Sequence, residues 1–425
     1  MSIRRFVKLM TLSLYLFLRT SIANSTGLSN DFLFYVHYFE FSKGYVFNVN
    51  QSAQYNKYFS QNSPLSLELK ENKIDYVAHW YNDFGLEYIR KGNGSNGAMT
   101  WYTWDWAKNL GALDRHPLLG WYKGDDTNIL NWQCYWLLKS GITAVNITGP
   151  IDISNWKEPS NKHYWKFQLF ENTYYFKLLK YIPWVKYKGS IMNITANWNQ
   201  MIGYFFSTYN NYYKVCYNNK YYPVMYVFEG EGLRNSFDNL RGSKRLKKFL
   251  ISQANKPIIK GFGGICLFVR HPTSDKILSR KDLESNGVLY IPAGYSNMEG
   301  AKERRSRSYY ELVNNMKMPN ERAIVNVVTS HHSVSPHPSN WPQKGSTPIL
   351  FELAIRRATD WVLSNPALPK IIQIYNVAEW AEGGPGLQPN FRDGFGYLNS
   401  LKNVVENFIS EKEDHSIKAI PKLEP

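Results

Sequence analysis

The sequence predicts a (β/α)8 barrel, the TIM-barrel class of α/β folds, preceded by an N-terminal extension. Three observations predict it. Eight short runs rich in β-branched and aromatic residues recur from about residue 74, longer stretches with helical spacing of apolar residues lie between them, and the 425-residue chain is long enough to hold one such domain. Strands that alternate with helices build parallel sheets, because a parallel neighbour can be reached only through a crossover. Eight such units fit a closed ring better than an open sheet.

The expected strands, in order, are IDYVAHWY (74–81), TAVNIT (143–148), SIMNIT (190–195), YPVMYVF (222–228), GICLFVR (264–270), VLYIPAG (288–294), AIVNVV (323–328) and KIIQIYN (370–376). The clearest helices are TNILNWQCYWLLKSG (127–141), SKRLKKFLISQA (243–254), PILFELAIRRATDWVLSN (348–365) and GYLNSLKNVVENFISEK (396–412). In the first of these Ile129, Trp132, Trp136 and Leu137 share one face, and Gly141 supplies the stop. Asp125 and Asp126 stand where side-chain oxygens can satisfy the free N–H groups of its first turn.

The N-terminus reads as a secretory signal: a basic start, an apolar stretch from Leu9 to Leu18 too short for a membrane span, and small residues at Ser21 and Ala23. The expected organisation is signal peptide 1–23, extension 24–73, barrel 74–412 and tail 413–425, in a secreted or extracytoplasmic protein. An uncleaved anchor is the other reading of the same segment, since Arg19 interrupts the pattern. Removing residues 1–23 takes away Arg4, Arg5, Lys8 and Arg19 and no acid, lowering the formal charge of +16 by four. A basic exported protein meets acidic glycans, anionic lipid or a phosphate-rich wall. RGSKRLKK (241–248) and KERRSR (302–307) read as solvated faces, and no nucleic-acid motif accompanies them.

Three cysteines, Cys134, Cys216 and Cys266, are too few for a disulfide framework, and their spacing fits no zinc site. Cys134 and Cys266 read as buried thiols. The sequons at Asn146 and Asn193 fall in expected strands, where a glycan does not fit. Aromatic residues reach 16%, clustered in MTWYTWDW and YFFSTYNNYYKVCY; such side chains stack on sugar rings, and they equally fill a large core.

In a barrel of this class the functional site is built by loops leaving the C-terminal ends of the strands. That rule draws attention to NVAEWAEGG (376–384), where Glu379 and Glu382 flank Trp380 just after the eighth strand. Glycoside cleavage needs one group to protonate the departing oxygen and a second carboxylate across the ring, and an apolar wall such as Trp380 lets two acids hold different pKa values. Taken alone, an E-x-x-E pair on a loop reads equally as two solvated acids.

The surrounding segment YNVAEWAEGGPGLQPNFRDGFGYLNSL resembles the closing segment of glycoside hydrolase family 99 and of the related WbsX-like proteins of polysaccharide biosynthesis. Both glutamates, Trp380, Gly383, Pro389, Gly396, Tyr397 and Leu398 match its pattern. HPLLGWYKGDDTNILNWQCYWLLKSGITAVNI (116–147) is similar to a second family segment, and IDYVAHWYNDFG to its opening strand. The resemblance spans about residues 74 to 405. It implies an enzyme that cuts inside α-mannose-containing chains with retention, without a covalent enzyme nucleophile. By position, Glu379 would be the base that deprotonates the sugar's 2-hydroxyl and Glu382 the acid/base. No metal or organic cofactor is implied.

The chain departs from the family pattern at Ala378, where an asparagine precedes the first glutamate, at His79, where the opening strand has proline, and at Gln388, where a glutamate precedes proline. AEWAEG is closer to the WbsX-like form. A relative that kept the cleft for polysaccharide assembly or carbohydrate binding is therefore the alternative, and a basic wall or membrane-surface adhesin is a third.

Further candidates lie at strand ends. His79, Trp80 and Tyr81 close the first strand as a shelf for a sugar or as packing of the mouth; Glu229 closes the fourth, to bond sugar hydroxyls or to pair with Arg234. Arg270 and His271 follow the fifth and suit an anionic substituent. His331 and His332, with His337 beyond, follow the seventh at a spacing that fits no standard ligand set, so they are expected at substrate or water. Asn376, at the end of the eighth strand, joins the expected substrate-binding group. The expected partner is an oligo- or polysaccharide, neutral or anionic, with no nucleic acid and no span after signal cleavage.

Overall fold

The computed structural model describes residues 74–80, 117–122, 126–147, 151–152, 170–175, 178–186, 212–227, 248, 251–252, 262–269, 280–293, 308–319, 323–329, 345–366, 368–379 and 384–410. The expected signal peptide, the extension and the tail lie outside them, as does most of the expected helix 243–254.

Twelve strands and five helices fall within this set. The strands are β1 (Asp75–Trp80), β2 (Ile142–Ile147), β3 (Ile151–Asp152), β4 (Lys180–Ile182), β5 (Trp184–Lys186), β6 (Lys214–Tyr217), β7 (Lys220–Val227), β8 (Ile265–Val269), β9 (Val288–Pro292), β10 (Val325–Val328), β11 (Ile371–Glu379) and β12 (Gly384–Gly386). The helices are α1 (Thr127–Lys139), α2 (Arg280–Glu284), α3 (Tyr309–Asn314), α4 (Pro348–Ser364) and α5 (Gly396–Ser410).

One parallel run has the order β10-β11-β1-β2-β4, and a second runs β5-β7-β8-β9. Only Pro183 separates β4 from β5, and its carbonyl accepts from the Tyr226 amide at 2.8 Å, so residues 180–186 act as one barrel strand that pairs with β2 through its first half and β7 through its second. At the other junction the Ile324 amide donates to the Pro292 carbonyl at 2.9 Å, linking β9 to the start of β10. The result is a closed ring of eight parallel strands, the (β/α)8 barrel that the alternation predicts.

The third strand is the element that differs from expectation. Residues 180–186 fill the place between β2 and β7 that SIMNIT (190–195) was expected to take, and 190–195 lie outside the described residues. Proline cannot donate to a ladder and so argues against a strand in sequence; here Pro183 sits where the chain changes partners and only its acceptor is used.

Strand alternation sorts the apolar residues. Val77, Ala144, Ile182, Trp184, Val224, Tyr226, Cys266, Phe268, Leu289, Ile291, Ile324 and Ile371 form one buried cluster with members from all eight barrel positions, so it is the inside of the ring. A second cluster joins the outward faces of the strands to the helices, including Tyr76, Val145, Leu267, Ile372 and Ile374 with Phe351, Ile355, Leu401 and Val404. Burying each such side chain contributes about 1.5–3 kcal/mol relative to leaving it in water.

The helices follow from their ends. Asp126 caps α1, its Oδ1 accepting from the Asn128 amide at 2.9 Å. Thr347 caps α4, with Pro348 at its first turn. α3 starts at a capping box in which Ser308 and Glu311 satisfy each other's backbone amides. Residues 129–138 of α1 are all buried, because the strip 387–395 and α5 cover the face turned away from the barrel; Trp136 meets Phe395 edge-on at 5.2 Å.

The N-terminal end of the ring is plugged. β6 folds antiparallel onto the start of β7 around Asn218 and Asn219, both at positive φ, and its Val215, with Tyr213 just before the strand, joins the inner cluster. Within the ring the Tyr213 hydroxyl donates to Asp75 Oδ2 at 2.7 Å. Among the described residues, no helix is long and apolar enough to cross a membrane.

Candidate functional site

The rim at the C-terminal ends of the strands is organised around β11. This strand runs between β1 and β10 and ends at Glu379, after which the chain returns as β12, antiparallel to it, with Val377 opposite Gly386 and Glu379 opposite Gly384. Residues 380–383 therefore link two paired positions, and Glu379 stands at the last paired position of the strand itself.

The hairpin is held from below. The Asn376 amide donates to Thr329 Oγ1 at 3.2 Å, and its carbonyl accepts from the Leu387 amide at 3.0 Å. Gly386 has φ +61, and a Cβ there would come within 2.2 Å of the Asn376 carbonyl and side-chain oxygens, so only glycine lets the two strands approach this closely. Asn376 is fully buried beneath β12. Thr329 is tied onward: its carbonyl accepts from Ser346 Oγ at 2.8 Å, and that hydroxyl lies 2.7 Å from the Tyr397 hydroxyl at the start of α5. Ala378, one residue before the first glutamate, has φ +60.

The two distant segments that carry the family resemblance meet in space. The Leu118 amide donates to the Pro389 carbonyl at 3.0 Å and Pro117 bridges to Asn390. Gln133 of α1 donates from Nε2 to Gln388 Oε1 at 3.0 Å, both side chains being buried. Gln388 thus joins α1 to the strip behind the rim. Gly396 lies where a Cβ would reach 2.5 Å from Pro348, and Tyr397 and Leu398 are in the outer core. Of the matched residues, these three dock α5.

Inside the ring, polarity changes with height. Asp75 and Tyr213 occupy the N-terminal end, where burial is the largest influence on Asp75 and holds its carboxyl above the usual carboxylate range against the lowering effect of the Tyr213 and Thr143 hydrogen bonds. Burial and the Asp75 charge drive the Tyr213 hydroxyl well above its ordinary value. Higher up, Gln373 and Asn326 stand opposite each other on β11 and β10, both buried. Near the end of β2, Asn146 has the same alternation as the inward Ala144 and stands in register with His79 on one side and Ile182 on the other. It is 1% exposed, and among the described residues neither amide atom has a hydrogen-bond partner. A buried polar group left in that state costs about 1–3 kcal/mol.

Sequence reasoning did not single out Asn146 as an inward, unpaired amide, reading it only as a sequon too enclosed for a glycan. The signal was present: an asparagine inside a β-branched run is unfavourable for a strand, and it lies two positions past an inward residue.

Of the sequence-predicted residues, His79, Trp80 and Glu379 have their backbones on β1 and β11, and the pairing His79–Tyr375 and Trp80–Val377 sets the end of β1 beside the strand that leads to Glu379. Tyr81, Glu229, Arg270, His271, His331, His332, Trp380 and Glu382 lie outside the described residues. Among the described residues no group of three His, Cys, Asp or Glu side chains is arranged to hold a metal. Cys134 and Cys266 are buried and Cys216 is exposed, all as free thiols; burial raises the Cys134 thiol far out of the reactive range.

No protein-family model and no curated protein matches the chain. Among solved structures the chain is similar to the GH99 endo-α-mannosidase from Bacteroides thetaiotaomicron in complex with bis-tris propane, with 14% identity over 81% of this chain and 99% of that one and a TM-score of 0.48. A second structure of that bacterium's GH99 endo-α-mannosidase gives 12% identity, 80% and 98% coverage and a TM-score of 0.46. A glycoside hydrolase-like protein gives 13% identity, 83% and 99% coverage and a TM-score of 0.48.

Proposed function

We propose that the chain is an exported glycoside hydrolase that cleaves internal α-mannosidic or similar bonds with retention, using Glu379 and Glu382. The observation that carries this reading is the run of β11 to the C-terminal rim, where the strand ends at Glu379 and the E-x-x-E segment begins as the link to β12. The closing segment's resemblance to family 99 adds the roles. Glu379 takes the proton of the sugar 2-hydroxyl as that oxygen attacks the anomeric carbon, while Glu382 gives a proton to the departing glycosidic oxygen. Water then opens the anhydro sugar, losing its proton to Glu382 as Glu379 returns one to O2. Two inversions leave the configuration retained, and neither carboxylate forms a covalent bond. The proposed protein carries a signal at 1–23, an extension at 24–73 and a tail at 413–425 around the barrel.

Glu379→Gln and Glu382→Gln are each expected to lower kcat/KM on α-mannan fragments by about 10²–10⁴-fold, because each removes a proton-transfer group. The measurement is reducing-end release over a panel of mannans and acidic glycans. Turnover that survives both changes sinks the assignment.

A second reading is favoured by two particular positions: Ala378 stands in a left-handed conformation where the family has asparagine, and Gln388, in place of an acid, is committed to Gln133. A WbsX-like polysaccharide-assembly or carbohydrate-binding protein would bind the same panel without turnover, and binding would persist in both glutamine variants.

A further inference from the structure

We propose that Asn146 is a hydroxyl-binding residue at the floor of the barrel mouth, where its amide takes a hydroxyl of the deepest-lying sugar; this rests on the carbohydrate reading above. The side chain is inward by strand alternation, with His79 and Ile182 on either side of it in the sheet. Val77, Ala144 and Ile182 make the interior around and below it apolar. Its Oδ1 and Nδ2 are both buried, and both lack a partner among the described residues. A carboxamide offers an acceptor and a donor side by side, and a sugar hydroxyl is both donor and acceptor, so one hydroxyl or a neighbouring pair satisfies both atoms. A leucine of similar size would fill the same space with no unmet polar atom, so the amide is an expense to the empty fold that only an O–H ligand offsets. That O–H group comes from the sugar or from an ordered water, and the two sources are separable.

The experiment measures thermal unfolding and glycan binding in Asn146→Leu and Asn146→Ala, each in a Glu382→Gln background so that the probe is not consumed. The probes are an α-mannan fragment and its monodeoxy analogues. Asn146→Leu is expected to unfold at the same or a higher temperature and to bind the intact fragment about tenfold or more weakly. One monodeoxy analogue should lose affinity for the Asn146 protein and show no loss relative to the intact fragment in either variant. If the variants and the parent discriminate among the analogues alike, the amide holds water or nothing and the proposal is wrong while the carbohydrate reading stands. If the parent binds no glycan of the panel, that reading and this residue's role go together. Should Asn146→Leu not fold, Asn146→Ala carries the same comparison.

Discussion

At the scale of single residues, the position before the first glutamate stands out because its backbone and its side chain disagree. Ala378 adopts φ +60, a region that costs an ordinary L-residue about 1–2 kcal/mol and that asparagine and glycine tolerate best. Ala378→Gly is therefore expected to raise stability by about 1 kcal/mol, read as a higher urea midpoint at unchanged slope; a lower midpoint would mean that the methyl group packs well enough to repay the conformation. Ala378 is fully buried, so the outcome weighs one methyl contact against one dihedral. The sequence displayed the substitution but not its cost, since only the fold gives position 378 a left-handed backbone.

At the scale of elements, the pairing of β11 with β12 fixes the backbone up to Glu379 and again from Gly384. Gly386→Ala would drive a methyl group into the Asn376 carbonyl and side-chain oxygens, and backbone has no easy way to give. The expected result is a loss of about 3 kcal/mol or more in stability together with lower turnover on any substrate found; a variant with wild-type unfolding and activity would show that β12 can shift freely. Elements also mark where sequence reasoning ran out. The long apolar helices and the β-branched strands were legible because periodicity and composition agree there, and seven barrel strands lie where their runs predict. The third was hidden because KYIPWVK carries a proline in its middle, while SIMNIT nearby has the better strand composition. β12 was hidden for the opposite reason: GPG has no strand propensity, and its pairing exists only because glycine lets it lie on Asn376.

For the whole molecule, the barrel has two unlike ends. The rim gathers the strand termini, among them the end of β11 at Glu379, and the far end is stopped by β6 and the Asp75–Tyr213 pair. Because burial holds the Asp75 carboxyl above its unfolded value, the native state keeps that proton more tightly than the unfolded chain does. Stability then falls as pH rises from the unfolded carboxylate value, near 4, through the folded one, and the penalty is complete above it. Asp75→Asn retains an acceptor for Tyr213 and removes the slope, so its urea midpoint should match or exceed that of the parent protein at pH 7 and lose that advantage near pH 3.5. An unchanged pH profile would show that the carboxyl stays hydrated. The ring has a further property that follows from strand order. Tyr76 of β1 bonds Thr359 of α4 across 283 positions, and β11 enters between β1 and β10 although it is the last of the eight to be synthesised. Strands β5 to β9 form a contiguous block that can zip up while translation is still under way; the cylinder cannot shut until the segment bearing Glu379 emerges and takes the one gap left for it. Completion of the wall and arrival of that acid are then a single event, so a nascent chain stalled before this point would have neither.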